Sequence, residues 1–224
     1  MKNIFKISFL LLSLSFIVAC KSKGDSAKVS DTAGKVTKAE GKNFKVNTNV
    51  SKVIWVGTKA TGSSHNGTIN LSEGSLSMKD GNITGGSFVL DMNSITALDL
   101  EGDDKAYLES HLKGMSDKSA DDFFNVRKFP KAKFNITKVS NLTGNNDATH
   151  LIYGNLTMKN TTKQVGFKAK VSVAGNAVNV STPSFKINRT DWGIKYNSPT
   201  FFQGLKDKAI NNDIELKINI AAKA

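Results

Sequence analysis

From Phe44 to the C-terminus the chain alternates apolar and polar residues with a period of two. No other feature constrains the fold as tightly. A strand points successive side chains to opposite faces, and a slip of one residue turns the whole apolar set to solvent. The pattern predicts strands at Val53–Lys59, Thr68–Glu73, Gly74–Met78, Gly86–Ile95, Lys133–Val139, Leu151–Met158, Val165–Val173, Ala177–Val180, Ser184–Ile187 and Ile214–Ile220. Turn-forming residues separate them at Lys79-Asp-Gly-Asn82, Gly144-Asn-Asn-Asp147, Lys159-Asn160 and Gly175-Asn176. Strands with one apolar face, in this number and at this spacing, predict a mainly β, antiparallel fold closed into a barrel or stacked as a sandwich. One stretch has helical spacing instead. Residues 103–114 open on Asp103-Asp104, place Tyr107, Leu108 and Leu112 on one side, and end on Lys113-Gly114. Phe201-Phe-Gln-Gly-Leu-Lys-Asp-Lys reads as a short second helix or a loop.

The first 42 residues follow other rules. Lys2 and Lys6 precede an apolar run from Ile7 to Val18. A spanning helix needs about 20 apolar residues, so this run is too short to cross a bilayer and has the form of a signal peptide. It ends Ile17-Val18-Ala19-Cys20, which resembles the lipobox cut by lipoprotein signal peptidase, with Ile17 where leucine is commoner. Cys20 is the one cysteine of the chain, which excludes an internal disulfide and a thiolate zinc site. The expectation is a signal peptide at 1–19 and a lipid-anchored Cys20 in the cell envelope. Lys21-Ser22 lacks an inner-membrane retention aspartate, which favours the outer membrane, facing the periplasm. Residues 21–42 carry six lysines against Asp25, Asp31 and Glu40, with no aromatic residue. They read as a flexible tether, with the folded domain at 43–224. Asp25-Ser26-Ala27 and Asp31-Thr32-Ala33 resemble bacterial O-glycosylation sites.

Composition argues against most chemistry. The net charge of +12 comes from scattered lysines, with no basic run beyond Lys128–Lys133, so nucleic acid is not an expected partner. His65, His111 and His150 lie far apart without metal-ligand spacing, and no metal or cofactor is expected. No nucleophile elbow, phosphate loop or dinucleotide fingerprint occurs, so no catalytic residues are assigned. The carboxylates at Asp99–Asp104 and Asp121-Asp122 read as caps and turn residues.

Trp55, Phe88, Leu90, Met92, Phe134, Ile136, Leu156, Met158, Phe167, Phe185 and Ile187 each take the apolar face of a strand. A barrel of about eight strands either fills with such side chains or holds one ligand. These residues alone leave both interiors open.

Four stretches then match one family in order. Asp122-Phe-Phe-Asn-Val-Arg-Lys-Phe-Pro-Lys-Ala-Lys-Phe134 resembles the Asp-Phe-Phe…Tyr-Pro-x-Ala-x-Phe signature of the YceI-like, polyisoprenoid-binding family. Gly154-Asn-Leu-Thr-Met-Lys-Asn-Thr-Thr-Lys163 is similar to its hairpin, and Asn188-Arg-Thr-Asp-Trp-Gly-Ile194 to its Arg-x-Asp-Phe/Trp-Gly piece. Asp91-Met-Asn-Ser-Ile95 corresponds to its strand ending in Ser-Ile. The resemblance implies a lipocalin-like barrel with a helix on it and a tunnel for an isoprenoid or similar amphipathic lipid, lined by the eleven residues above. It implies no catalysis. The alternative is a structural or interaction module with a filled core. Arg189, with Asp191 and Trp192, is expected at the mouth, either meeting a polar head or pairing with Asp191. Two positions depart from the family. Asn160 stands for the hairpin glycine and is expected to take its left-handed conformation. Phe129 stands for the tyrosine before Pro130, which removes a hydroxyl.

Overall fold

The computed structural model describes residues 24–224. The signal segment and Cys20 lie outside them. The strands are β1 (Asp25–Ser26), β2 (Lys28–Ser30), β3 (Lys42–Val46), β4 (Lys52–Lys59), β5 (Ser64–Lys79), β6 (Asn82–Asp91), β7 (Thr96–Ala97), β8 (Lys131–Asn141), β9 (His150–Met158), β10 (Thr161–Ala174), β11 (Ala177–Ser181), β12 (Phe185–Asn188) and β13 (Ile210–Lys223). One α-helix, α1, spans Gly102–Lys113.

Eight strands close a ring in the order β4-β5-β6-β8-β9-β10-β11-β13, with β4 completing it against β5 and β13. Every neighbour in the ring is antiparallel. Two long strands, β5 and β13, are joined along their length by two shorter ones. β4 bridges them over one stretch and β3 over the next. The expected strands at Thr68–Glu73 and Gly74–Met78 are therefore one strand. It is bent where Leu71 pairs with Leu90 but Glu73 with Val89, a bulge that breaks the alternation and mimics a strand end.

The β9–β10 hairpin turns at Lys159-Asn160, with Met158 paired to Thr161. The left-handed residue there is Lys159 (φ 50°), not Asn160 as expected. A two-residue hairpin can meet the strand twist with a positive φ at its first position alone, so the family's second-position glycine has no direct substitute to find.

Helix α1 carries Asp103 and Asp104 in its first turn and stops at Gly114, whose left-handed backbone (φ 68°) lets its N–H turn back to His111. It buries no residue completely. Leu108 and Leu112 rest on Val53, Trp55, Ile69, Met92 and Ile95 at one end of the barrel. Glu109 fixes its position by accepting bonds from Thr96 Oγ1 (2.6 Å) and Ala97 N–H (3.0 Å). The other end is packed solid around Phe44, Leu76, Met78, Ile136, Ile152 and Val178.

The stretch expected as a free tether is bound to the barrel from residue 24 onward. After β11 the chain passes Thr182-Pro183-Ser184, and β12 leaves the edge of β10. Residues 25–30 enter that gap, with β1 parallel to β12 and β2 antiparallel to β10. Asp25 pairs with Lys168 (2.8 Å) and Asp31 with Lys163. Further along, the Asn155 side chain both accepts from Gly34 N–H and donates to Gly34 C=O, each at 2.8 Å. A Cβ there would stand 2.0 Å from Gln164 Nε2, so a side chain enters only if the Gln164 amide swings aside. Composition missed this strap because it weighs buried side chains. The strap is held by backbone groups on free strand edges, which need none.

Candidate ligand-binding cavity

Between the packed end and α1 lies a cavity of about 700 Å³. Its walls come from inward-facing residues of β4, β6, β8, β9, β10, β12 and β13, with Leu108 and Leu112 of α1 above. Its floor is a row of rings. Phe134 lies 5.5 Å from Phe167, and Phe167 stacks on Phe185 at 4.8 Å with the planes 11° apart. Exposed polar groups of the lining, Lys59, Ser63, Asp104 and Lys208, together with Tyr107, mark the mouth. The volume lies in the usual range for small-molecule sites, about 300–1,000 Å³.

Of the residues picked out by alternation, Trp55, Leu90, Met92, Phe134, Leu156, Met158, Phe167, Phe185 and Ile187 line this space. Phe88 and Ile136 do not. Phe88 packs against Phe134 at 6.4 Å, and Ile136, 2% exposed, belongs to the solid end. Period two tells which face a residue takes, not its depth along the barrel axis. The strand pattern also could not find the roof. Leu108, His111, Leu112, Phe123, Phe124 and Tyr196 come from α1 and irregular segments. In the sequence, Leu108 and Leu112 show only as the apolar side of a helix and Phe123 and Phe124 only as the Asp122-Phe123-Phe124 motif, with no sign that they roof a cavity.

Arg189 lines the cavity but is not paired with Asp191, and its donors turn to the backbone. It is 3% exposed, and its guanidinium donates to three backbone carbonyls: Ile194 (2.9 Å), Ile210 (3.0 Å) and Asn211 (3.1 Å). Burial without a carboxylate lowers its pKa to about 10. Asn188 shapes the same turn by accepting from the Thr190 N–H (3.0 Å) and hydroxyl (2.7 Å). Trp192, 1% exposed, sits in the packed core and donates from Nε1 to Leu156 C=O (3.1 Å). The Asn188–Ile194 motif thus ties the end of β12 to β13. A wedge of irregular backbone at a barrel rim leaves carbonyls that a rigid five-donor fork satisfies better than a carboxylate pair would.

Two imidazole–carboxylate pairs stand near the mouth. His65 Nδ1 meets Asp99 at 2.8 Å, and Asp99 also accepts from Asn66 N–H. His111 Nε2 meets Asp122 at 2.8 Å, with its ring edge-on to Tyr196 (4.8 Å) and Phe123 (5.2 Å). Asp122 was expected as a cap and instead ties α1 to the Phe123-Phe124 loop. Burial works against the Asp99 charge, but the bonds from Asn66 and His65 outweigh it and hold the carboxyl below its ordinary range. Burial also raises the Tyr196 phenol, as does the nearby Asp122. Neither imidazole bonds to a hydroxyl among the described residues. One polar atom in this region lacks a partner: the indole N–H of Trp55, in the cavity wall.

A closed antiparallel ring that keeps an apolar hollow under a helix defines the class of small barrels that can enclose a hydrophobic molecule. Within that class, the chain belongs to the YceI-like domain family, whose model matches residues 44–222. Solved structures agree on the fold. A polyisoprenoid-binding domain from Saccharophagus degradans, implicated in plant cell wall breakdown, superposes with a TM-score of 0.58 at 12% identity, covering 81% of this chain and 98% of that one. BcnA of Burkholderia cenocepacia gives 0.59 at 17% identity, covering 80% and 99%. No curated protein matches the sequence.

Proposed function

We propose that the protein binds a long isoprenoid or similar amphipathic lipid without catalysis, its chain in the cavity and its head toward the mouth. The observation that carries this is the hollow of about 700 Å³, walled mainly by aliphatic and aromatic side chains with a few exposed polar residues among its lining. Each methylene withdrawn from water contributes about 0.8 kcal/mol, so apolar burial alone can retain a chain. The unpartnered Trp55 N–H favours a ligand with an oxygen acceptor near that wall. Membership in the YceI-like family and the likeness to a polyisoprenoid-binding domain support the same reading. A filled-core module would explain the packed end but not the hollow. With Cys20 lipidated, the domain works in the cell envelope, at the periplasmic face of the outer membrane, as a carrier or buffer for lipid.

The test is a titration of the signal-free chain from Lys21 with the fluorescent polyene cis-parinaric acid, followed by competition with geranylgeraniol. Saturable binding displaced by geranylgeraniol is expected. Absence of saturable binding to correctly folded protein would sink the reading.

A further inference from the structure

A lipid with a long chain hardly leaves a bilayer as a monomer, because each methylene adds to the cost of entering water. A cavity that takes such a molecule must be brought against a membrane, and resting on the lipid-holding reading, we propose that the lip formed by residues 195–208 docks on an anionic bilayer. Among the described residues the exposed aromatic side chains are Tyr107, Phe201 and Phe202, at 74%, 47% and 49%. Tyr107 lines the mouth, whereas the two phenylalanines do not line the cavity and sit beside it, on the loop between the lining residues Asn197 and Lys208. The loop is held there by backbone bonds from Phe201 and Phe202 to Ser198 C=O and from Ile210 to Asn197 C=O. Leaving two adjacent phenylalanines half in water is costly unless something covers them, and a bilayer interface does so.

The charges around the pair fit an anionic surface. Lys195 holds its ammonium 4.5 Å from the Phe201 ring centroid. Lys206 and Lys208 follow on the same loop, and Lys59 stands beside them, since β4 pairs with β13 through Lys59 and Ile210. Among the described residues none of these four lysines has an acidic partner. Asp207 is the one acid on this lip, whereas Asp103 and Asp104 lie on the helix side. Basic residues flanking an aromatic tip are the arrangement that anionic head groups and the acyl boundary recognise together. The contact therefore uses the loop side of the mouth and tips the helix side away.

Co-sedimentation of the chain from Lys21 with phosphatidylethanolamine vesicles, with and without a third of phosphatidylglycerol, decides the matter. Binding to the anionic vesicles that weakens with salt is expected. The double variant F201S/F202S should bind at least about tenfold more weakly while taking up cis-parinaric acid from solution as before. Val173→Ser, at an exposed apolar site on the opposite end, should change nothing. The proposal is overturned if wild type ignores both vesicle types, if F201S/F202S binds like wild type, or if Val173→Ser weakens binding as much. Vesicle binding that persists in a protein unable to take up the polyene would break the lipid-holding reading and leave this surface standing.

Discussion

The two ends of the barrel are made from the same alternating strands, yet one is solid and the other hollow. At the solid end, β3 extends the wall along β5 and β13, and side chains such as Leu76 (1% exposed) and Val178 (0%) belong to one buried cluster. At the hollow end, β4 takes the place of β3, and α1 with the Phe123 and Tyr196 loops forms a roof that does not reach the Phe167–Phe185 floor. What separates a core from a binding site here is the distance between floor and roof, not the hydrophobicity of the walls.

This contrast should appear first in truncations. Leu76→Ala leaves a void in close packing and is expected to cost about 3 kcal/mol. Leu216→Ala enlarges a space already open and should cost about 1 kcal/mol, since the removed atoms are only partly buried and leave no new void in close packing. Denaturant unfolding of both variants checks the ratio, and equal costs would mean that the hollow closes up in solution. Enlarging the same two regions sharpens the comparison. Val178→Phe should destabilise by about 2 kcal/mol, whereas Leu216→Phe should leave stability nearly unchanged and reduce the uptake of cis-parinaric acid.

A smaller effect concerns the strap that closes the gap between β10 and β12. Gly34→Val puts a side chain where Gln164 already lies, and is expected to cost about 1–2 kcal/mol. Hydrogen exchange should speed up for residues 25–37 and stay unchanged in β4 and β5. Uniform acceleration would show instead that the strap and the ring unfold together.

The smallest effect is the pH dependence of the roof. Burial opposes the Glu109 charge, but bonds from Thr96 and Ala97, with Lys113 and Lys105 close by, hold its carboxyl below the ordinary range. A carboxyl depressed in the folded state stabilises above its unfolded value and loses that contribution as pH falls through the folded one. Thermal stability should therefore decline more steeply below about pH 4.3 in wild type than in Glu109→Gln. Identical profiles would mean that Glu109 does not hold α1 in place.

Much of this was legible in the chain. The alternation pointed to antiparallel strands and left barrel and sandwich open, the family resemblance implied the closed ring, and the acid-to-Lys113-Gly114 pattern marked α1 to within a residue. Depth was not legible, because Ile136 and Phe134 are two residues apart on one face and end in different regions. Nor were partners made of backbone. Arg189 looked for Asp191 in the sequence and found three carbonyls, and the 24–40 stretch looked unattached because its ties are main-chain bonds, the Asn155 amide and surface ion pairs with lysines far along the chain. The strap also changes what a lipid on Cys20 would do. Gly24 lies against Ser184, so only three residues, 21–23, would separate a lipidated Cys20 from the barrel, rather than a loose run of about twenty.

Native mass spectrometry of the chain from Lys21, made in a membrane-bearing host, compared with Leu90→Arg made in the same way, tests the central claim most directly. Leu90 faces the hollow, and an arginine there would place an unpaired charge against the lipid chain. The account predicts a lipid adduct on wild type, released on collisional activation, and none on a Leu90→Arg protein that keeps its circular dichroism. An adduct-free wild type that also refuses geranylgeraniol, or equal adducts on both proteins, would contradict it.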